Sequence, residues 1–167
     1  MILAEAILRP VVGDDSEEIA QLLRENREFM APFEPLRDER FFTGDGQRER
    51  IEDSSSKAFA IIVDGRIGGG LTISDVIYAH FRSGVLGYWV AQRLSGRGLA
   101  TRAVGEALEL AFGQLRLHRL EAATLVDNIA SQRVLEKNRF ERIGLARRYL
   151  QIAGEWRDHF LHQRTAD

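Results

Sequence analysis

Cysteine is absent from all 167 residues. Disulfides, thiolate metal sites and a cysteine nucleophile are therefore excluded, and the composition fits a reducing compartment such as the cytoplasm. No apolar run approaches the roughly 20 residues that span a bilayer. The opening Met-Ile-Leu-Ala-Glu-Ala lacks the basic n-region of a secretory leader. A soluble cytoplasmic protein with no membrane partner is expected. Repeats, low-complexity tracts and linkers are missing too. The four histidines, His80, His118, His159 and His162, lack ligand spacing; His159 and His162 fall on opposite faces of a strand, so no metal is expected. A pI of about 6.1 and the lack of interleaved exposed aromatics argue against a nucleic-acid module.

What is present is a chain 44% hydrophobic and 29% charged, enough for the core of one domain, residues 1–167. The net charge of −2 is unevenly spread. Residues 1–87 carry 10 Lys/Arg against 16 Asp/Glu, and residues 88–167 carry 13 against 9. An acidic half can face a cationic substrate and a basic half an anionic cofactor; ordinary solvated faces explain the same imbalance.

The punctuation yields an element order. "AEAILRPVV" reads as a strand ending near Pro10. A helix follows in "DDSEEIAQLLRENREFM", with N-cap oxygens among Asp14 to Ser16 and a face of Ile19, Leu22 and Leu23. "APFEPLRDERFF" reads as an irregular loop, and a polar helix spans about Gly46 to Ser55. Asp64-Gly65 joins two antiparallel strands through a type I′ turn. "SGVLGYWVA" is a strand, and a helix runs from about Leu99 to Leu115 with Val104, Leu108, Ala111 and Leu115 on one face. "HRLEAATLV" is a strand, "NIASQRVLEKNRF" a short helix capped by Asn128, and two strands meet at Ala153-Gly154. The expected class is α/β (α+β): a mixed, mostly antiparallel sheet of about seven strands with helices on both faces.

The most informative stretch is "YWVAQRLSGRGLATRAV", Tyr88 to Val104. Gly96 and Gly98 stand between a strand and a helix with Arg93 and Arg97 interleaved. Such a loop is either a tight turn or a phosphate cradle, in which backbone N–H groups and the helix dipole converge on an anion. Two other phosphate grammars fail. No glycine precedes a lysine, which removes the Walker loop. A Rossmann fingerprint needs Gly or Ala where Thr101 stands, and it expects a parallel βαβ unit where an antiparallel hairpin precedes.

The stretch resembles the acetyl-CoA loop of the GNAT N-acetyltransferases. Their Arg/Gln-x-x-Gly-x-Gly/Ala is met by Arg93-Leu94-Ser95-Gly96-Arg97-Gly98, between the fourth strand and the third helix. Their Asn-x-x-Ser before a short helix ending in Phe is met by Asn128, Ser131 and Phe140, and the element order agrees. "RENREFMAPFEPLRDERFFT" and "YLQIAGEWRDHFLH" further resemble the RimJ/RimL-type branch, the ribosomal-protein-alanine N-acetyltransferases.

The resemblance implies acetyl transfer from acetyl-CoA to a primary amine by direct attack. The pyrophosphate is then expected on the N–H groups of Gly96, Arg97, Gly98, Leu99, Ala100 and Thr101, with Arg93, Ser95 and Lys137 close by. Tyr88, Trp89 and Val90 would pair with the pantetheine arm, and the Val90 N–H would stabilise the oxyanion. Asn128 would reach the pantetheine amides and Ser131 would protonate the leaving thiolate; an N-cap and a solvent-facing hydroxyl are their plain structural roles. The branch has a glutamate before its Tyr-Leu, but here Arg148 precedes Tyr149-Leu150 and cannot act as a base. Glu34 is the first candidate for the base, followed by Glu155, the Asp158-His159 pair and an ordered water. Trp89 and Trp156 are expected as core or wall.

The resemblance favours a ribosomal-protein N-terminus as acceptor. It leaves open a small-molecule amine or a non-catalytic CoA-binding domain; the branch often forms homodimers, and the sequence does not itself set the oligomeric state.

Overall fold

A computed structural model describes residues 7–53 and 55–167. The strands are β1 (Ile7–Pro10), β2 (Lys57–Val63), β3 (Arg66–Ile77), β4 (Ser83–Val90), β5 (Arg119–Leu125), β6 (Glu141–Ile152) and β7 (Glu155–Thr165). The helices are α1 (Ser16–Glu25), α2 (Arg27–Met30), α3 (Gly44–Glu52), α4 (Leu99–Glu109) and α5 (Ile129–Lys137). All seven strands join one open sheet in the order β1-β2-β3-β4-β5-β7-β6, antiparallel everywhere except at β4–β5. Residues Ala4 to Ala6, where the first strand is expected to begin, lie outside the described residues.

Consecutive burial of Phe59, Ala60 and Ile61 on β2 shows that helices cover both faces of the central sheet, since one-sided cover would bury alternate residues only. The core beneath them joins Leu71 and Ile73 of β3 to Val104 and Ala107 of α4 and Leu135 of α5. The β2–β3 turn is type I′ as expected, with φ of 50° at Asp64 and 76° at Gly65. No helix among the described residues is long and apolar enough to cross a membrane.

Several local expectations change in the structure. The Asp15 carboxylate does not cap α1. Both its oxygens accept from Arg9 at 2.8 Å and one also accepts from Val12 N, so the ion pair outcompetes the cap. The polar helix begins two residues early because Thr43 Oγ1 accepts from Gly46 N at 3.1 Å. The helix expected to Leu115 changes at Leu110–Gln114 into a π turn, closed by Leu115 N donating to Leu110 O at 3.0 Å. Leu108 and Leu115 are accordingly half-buried, while Ala103, Val104, Ala107 and Ala111 form the buried face.

The helix expected through residue 30 breaks at Asn26, whose φ is −105°. This buried side chain donates to Leu22 O at 2.8 Å and accepts from Gln92 N at 2.8 Å. It fastens the end of α1 to the residue that leaves β4 for the glycine loop. Asn26→Ala orphans the Gln92 N–H and is expected to cost about 1–3 kcal/mol in denaturant unfolding; an unchanged midpoint would mean that water replaces the link.

The sheet opens where its two halves meet. β4 and β5 pair only at Ser83–Arg119, Gly84–Leu120 and Val85–Glu121. β4 remains bound to β3 as far as Val90, and β5 to β7 as far as Leu125, so the two strands diverge while their outer partners hold them. One edge of β4 is thereby left without a strand partner from Leu86 onward.

Candidate active site

The divergence of β4 and β5 opens a cavity of about 700 Å³. Tyr88 and Trp89 wall one side, and Thr124, Asn128 and Ser131 the other. The proline-containing loop after α2 brings Glu34 and Arg37 to the cavity. That loop is anchored: Ala153 N, in the β6–β7 turn, donates to Glu34 O at 2.9 Å.

Antiparallel pairing sets where the β4 amides point. Ala91 N donates to Gly68 O at 2.8 Å, on the β3 side. Alternation then turns the N–H groups of Val90 and Tyr88 toward the open edge. The Val90 N–H thus faces the open edge while its side chain packs against the core, and Trp89 contributes a half-buried cavity wall. Trp156 is exposed and also lines the cavity.

Across the cleft, Asn128 Oδ1 caps α5 by accepting from Ser131 N at 3.2 Å. Ser131 therefore occupies the first turn of α5, where the helix dipole favours negative charge. Its Oγ lies 2.7 Å from the Tyr88 hydroxyl, which also donates to Ser131 O at 3.2 Å. Burial pushes the Tyr88 phenol up to about 12, against a smaller opposing effect of the Ser131 hydrogen bond, so it keeps its proton at neutral pH. The sequence singled out the backbone of Tyr88; its side chain, reaching across the cleft, is a contact between residues 43 apart that no local pattern announces.

The glycine loop continues from β4 beyond the cavity wall. Gly96 and Gly98 have φ of 75° and 78°, and Gly98 stands at the N-cap of α4. Both positions face open space, with nothing within 4 Å of an added Cβ. Among the described residues, the first intrahelical amide bond of α4 runs from Arg102 N to Gly98 O at 3.1 Å, and no backbone acceptor takes the amides from Gly96 to Thr101. Arg93, Ser95, Arg97 and Gly98 are exposed, Leu99 is buried, and Ala100 and Thr101 are half-buried. Asn138 Nδ2 donates to Thr101 O at 3.0 Å and draws the end of α5 to the first turn of α4. Lys137, exposed, stands one residue before that link.

The candidates for the base separate. Glu34 lines the cavity; burial raises its carboxyl above the usual carboxylate range, while the charges of Arg37 and Arg50 pull it back down. Glu155 is exposed at the β6–β7 turn. Asp158 is committed elsewhere, its Oδ1 accepting from Arg148 N at 2.8 Å. Arg148 itself is an exposed bulge residue with φ of 49°. His159, a candidate base together with Asp158, is 3% exposed and lines the cavity. Its Nδ1 lies 3.0 Å from Arg157 O, and a carbonyl only accepts, so Nδ1 carries the proton. Asp158 and His159 do not act as a pair, because neighbours on a strand point to opposite faces.

An N–H-lined helix start, an open strand edge and a hydroxyl pair at a helix N-terminus together fit a long thioester whose diphosphate lies outside the cleft and whose acyl end lies within. The acetyltransferase (GNAT) domain family matches residues 5–141, and the chain belongs to it. The sheet and helices are those of the GNAT fold, and acetyl-CoA is the cosubstrate. The probable N-acetyltransferase YjcK of Bacillus subtilis is 35% identical over 161 residues, which span 91% of this chain and 89% of that one. The ribosomal protein uS5-alanine N-acetyltransferase of Escherichia coli is 31% identical over 164 residues, 93% of this chain and 84% of that one. A ribosomal-protein-S5-alanine acetyltransferase from Vibrio fischeri has the same fold with a TM-score of 0.92 at 29% identity, covering 98% of this chain and 97% of its own. Mycobacterium smegmatis RimJ in complex with CoA-disulfide gives a TM-score of 0.88 at 33% identity, covering 95% of this chain and 81% of its own.

Proposed function

We propose that this acetyltransferase modifies the N-terminal α-amine of a protein, with a ribosomal protein in the cytoplasm as the favoured acceptor. The observation that carries the chemistry is the Tyr88–Ser131 pair, 2.7 Å apart at the start of α5 and facing the open edge of β4. The peptide acceptor is favoured by the similarity to alanine N-acetyltransferases and by the cavity mouth. Exposed Phe33 and Trp156 line that mouth, and the still more exposed Leu36 packs beside it at Gly154, an apolar rim suited to an extended chain.

Each step has a residue in this reading. The amides of Gly96 to Thr101 hold the diphosphate, with Arg93, Ser95, Arg97 and Lys137 beside them. Tyr88 and Val90 bond the pantetheine arm as an added strand, and Trp89 packs beside it. The Val90 N–H stabilises the oxyanion, a contribution of roughly 3 to 4 kcal/mol where such a donor has been removed. Asn128 holds the first turn of α5 and reaches the arm's amides. Ser131 hands its proton to the departing sulfur, and the Tyr88 phenol replaces it. Glu34 takes the proton that the acceptor ammonium must lose before attack.

The acceptor is tested by thiol release from acetyl-CoA with Ala- and Ser-terminal peptides, a polyamine and free amino acids. The reading expects the peptides to be turned over best, with acetyl located on the α-amine. A polyamine turned over in their place would move the chain to the small-molecule enzymes, and CoA binding without thiol release from any amine would make it a binding domain.

Glu34 has a pH signature. Burial raises its carboxyl above the usual carboxylate range, and the charges of Arg37 and Arg50 oppose the rise. Because Glu34 takes the proton of the bound ammonium, the acceptor enters protonated, and kcat/KM falls at the acid end with a slope of one on a logarithmic plot as Glu34 itself becomes protonated. Glu34→Gln lowers the rate and moves the acid limb up to the pKa of the amine itself, about 8; an unmoved limb assigns the base to His159 or water.

A further inference from the structure

The acceptor side of the cavity has an unexplained charge pattern. Among its lining residues, Glu34, Arg37 and Arg50 are the carboxylate and guanidinium groups. The N-terminal half of the sequence is acidic overall, yet at the site it supplies two guanidiniums against one carboxylate.

These two arginines differ from the others around them. Arg24, Arg27 and Arg40 of the same region each pair with a glutamate. Among the described residues, neither Arg37 nor Arg50 has a carboxylate within ion-pairing distance. Arg37 is half-buried, and its Nε is enclosed without a hydrogen-bond acceptor. Both guanidiniums lie over the ring of Phe41, at 4.6 Å for Arg37 and 5.1 Å for Arg50, and both charges act on the Glu34 carboxyl. A partly desolvated guanidinium with an unused fork of donors is costly in the free protein. It becomes favourable once a planar anion fills it. Burial and the neighbouring Arg50 both act to lower the Arg37 pKa, opposed by Glu34, as expected of cations short of an anion.

We propose that Arg37 and Arg50 form an anion subsite beside Glu34 that selects acceptors carrying a carboxylate a few bonds from the amine to be acetylated. The inference rests on the reading that the amine enters beside Glu34. The ammonium then meets Glu34 and the nearby carboxylate meets the two arginines. An acidic side chain directly after the terminal residue of a peptide supplies this chemistry, and so does the α-carboxylate of a free amino acid.

The test compares matched acceptors by thiol release. Peptides beginning Ala-Glu are set against Ala-Gln, and free phenylalanine against its carboxamide. The wild-type enzyme is expected to prefer the acidic member of a pair by roughly tenfold or more in kcat/KM, mainly through KM. Arg50→Gln, on the exposed face of α3, and Arg37→Gln are each expected to collapse that ratio, while Arg37→Lys restores part of it. A merely structural role would change both members of a pair alike and leave the ratio untouched. Equal turnover of Ala-Glu and Ala-Gln peptides by the wild type overturns the subsite while leaving the N-terminal acceptor standing. Refusal of peptides together with preference for phenylalanine over its carboxamide supports the subsite and overturns the protein acceptor.

Discussion

Ser131→Ala lowers kcat by roughly a hundredfold or more, the range for loss of a positioned proton donor, while CoA affinity stays nearly constant. The asymmetry follows from what the residue touches. Its hydroxyl bonds the Tyr88 phenol at 2.7 Å, and its amide bonds Asn128. The substitution removes the first contact and keeps the second, so α5 remains capped and the cleft keeps its shape. In the proposed reaction, what is lost is the proton that Ser131 would give the leaving thiolate. Tyr88, held protonated by burial, then faces the sulfur across a gap and substitutes poorly. Tyr88→Phe is expected to be milder, because Ser131 can exchange with water. Unchanged turnover in Ser131→Ala, measured with saturating acetyl-CoA, removes the residue from the reaction.

Gly98→Val abolishes measurable CoA binding at ordinary concentrations while the protein stays folded. The backbone conformation at this position, φ of 78°, costs a residue with a Cβ roughly 1–2 kcal/mol. An added Cβ meets nothing within 4 Å, so the fold accepts it with a modest loss of stability. The N–H groups around it are another matter. They approach a diphosphate only while the loop is bare and keeps its turn. Loss of two charge-assisted hydrogen bonds, about 1.5–3 kcal/mol each, raises Kd by roughly a hundredfold or more. Calorimetric titration with CoA beside a thermal melt separates the two effects. Retained affinity with a lowered Tm shows that the glycine serves only the turn.

Elements set by local rules were legible in the sequence. The type I′ turn at Asp64-Gly65 needs positive φ at both positions, and the two residues declare it. The glycine loop before α4 and the Asn128 cap of α5 are readable for the same reason. Two of the misreadings share one cause, which is that a partner outside the local pattern claimed a residue with a sound local role. Asp15 reads as a cap until Arg9 takes its carboxylate. Asn26 reads as mid-helix until Gln92, 66 residues on, takes its side chain.

The site divides along the same line. Val90, Asn128 and Ser131 were placed through motifs that span a few residues. The partnership of Tyr88 with Ser131 and the convergence of Arg37 and Arg50 on Phe41 depend on how β4, α5, α3 and the proline loop pack. His159 shows the limit from the other side, since strand alternation accounts for its burial and only the divergence of β4 from β5 turns that burial into access to the cavity.

The central claim is that acetyl passes directly from acetyl-CoA to a terminal amine, with both held together in the β4–β5 cleft. Initial rates of thiol release, with acetyl-CoA and an Ala-terminal peptide varied together, test it most directly. The account predicts saturation in both substrates, intersecting double-reciprocal lines and one acetyl group on the α-amine. Parallel lines, which report an acetylated enzyme released from CoA before the amine binds, or the absence of thiol release with any terminal amine, would contradict it.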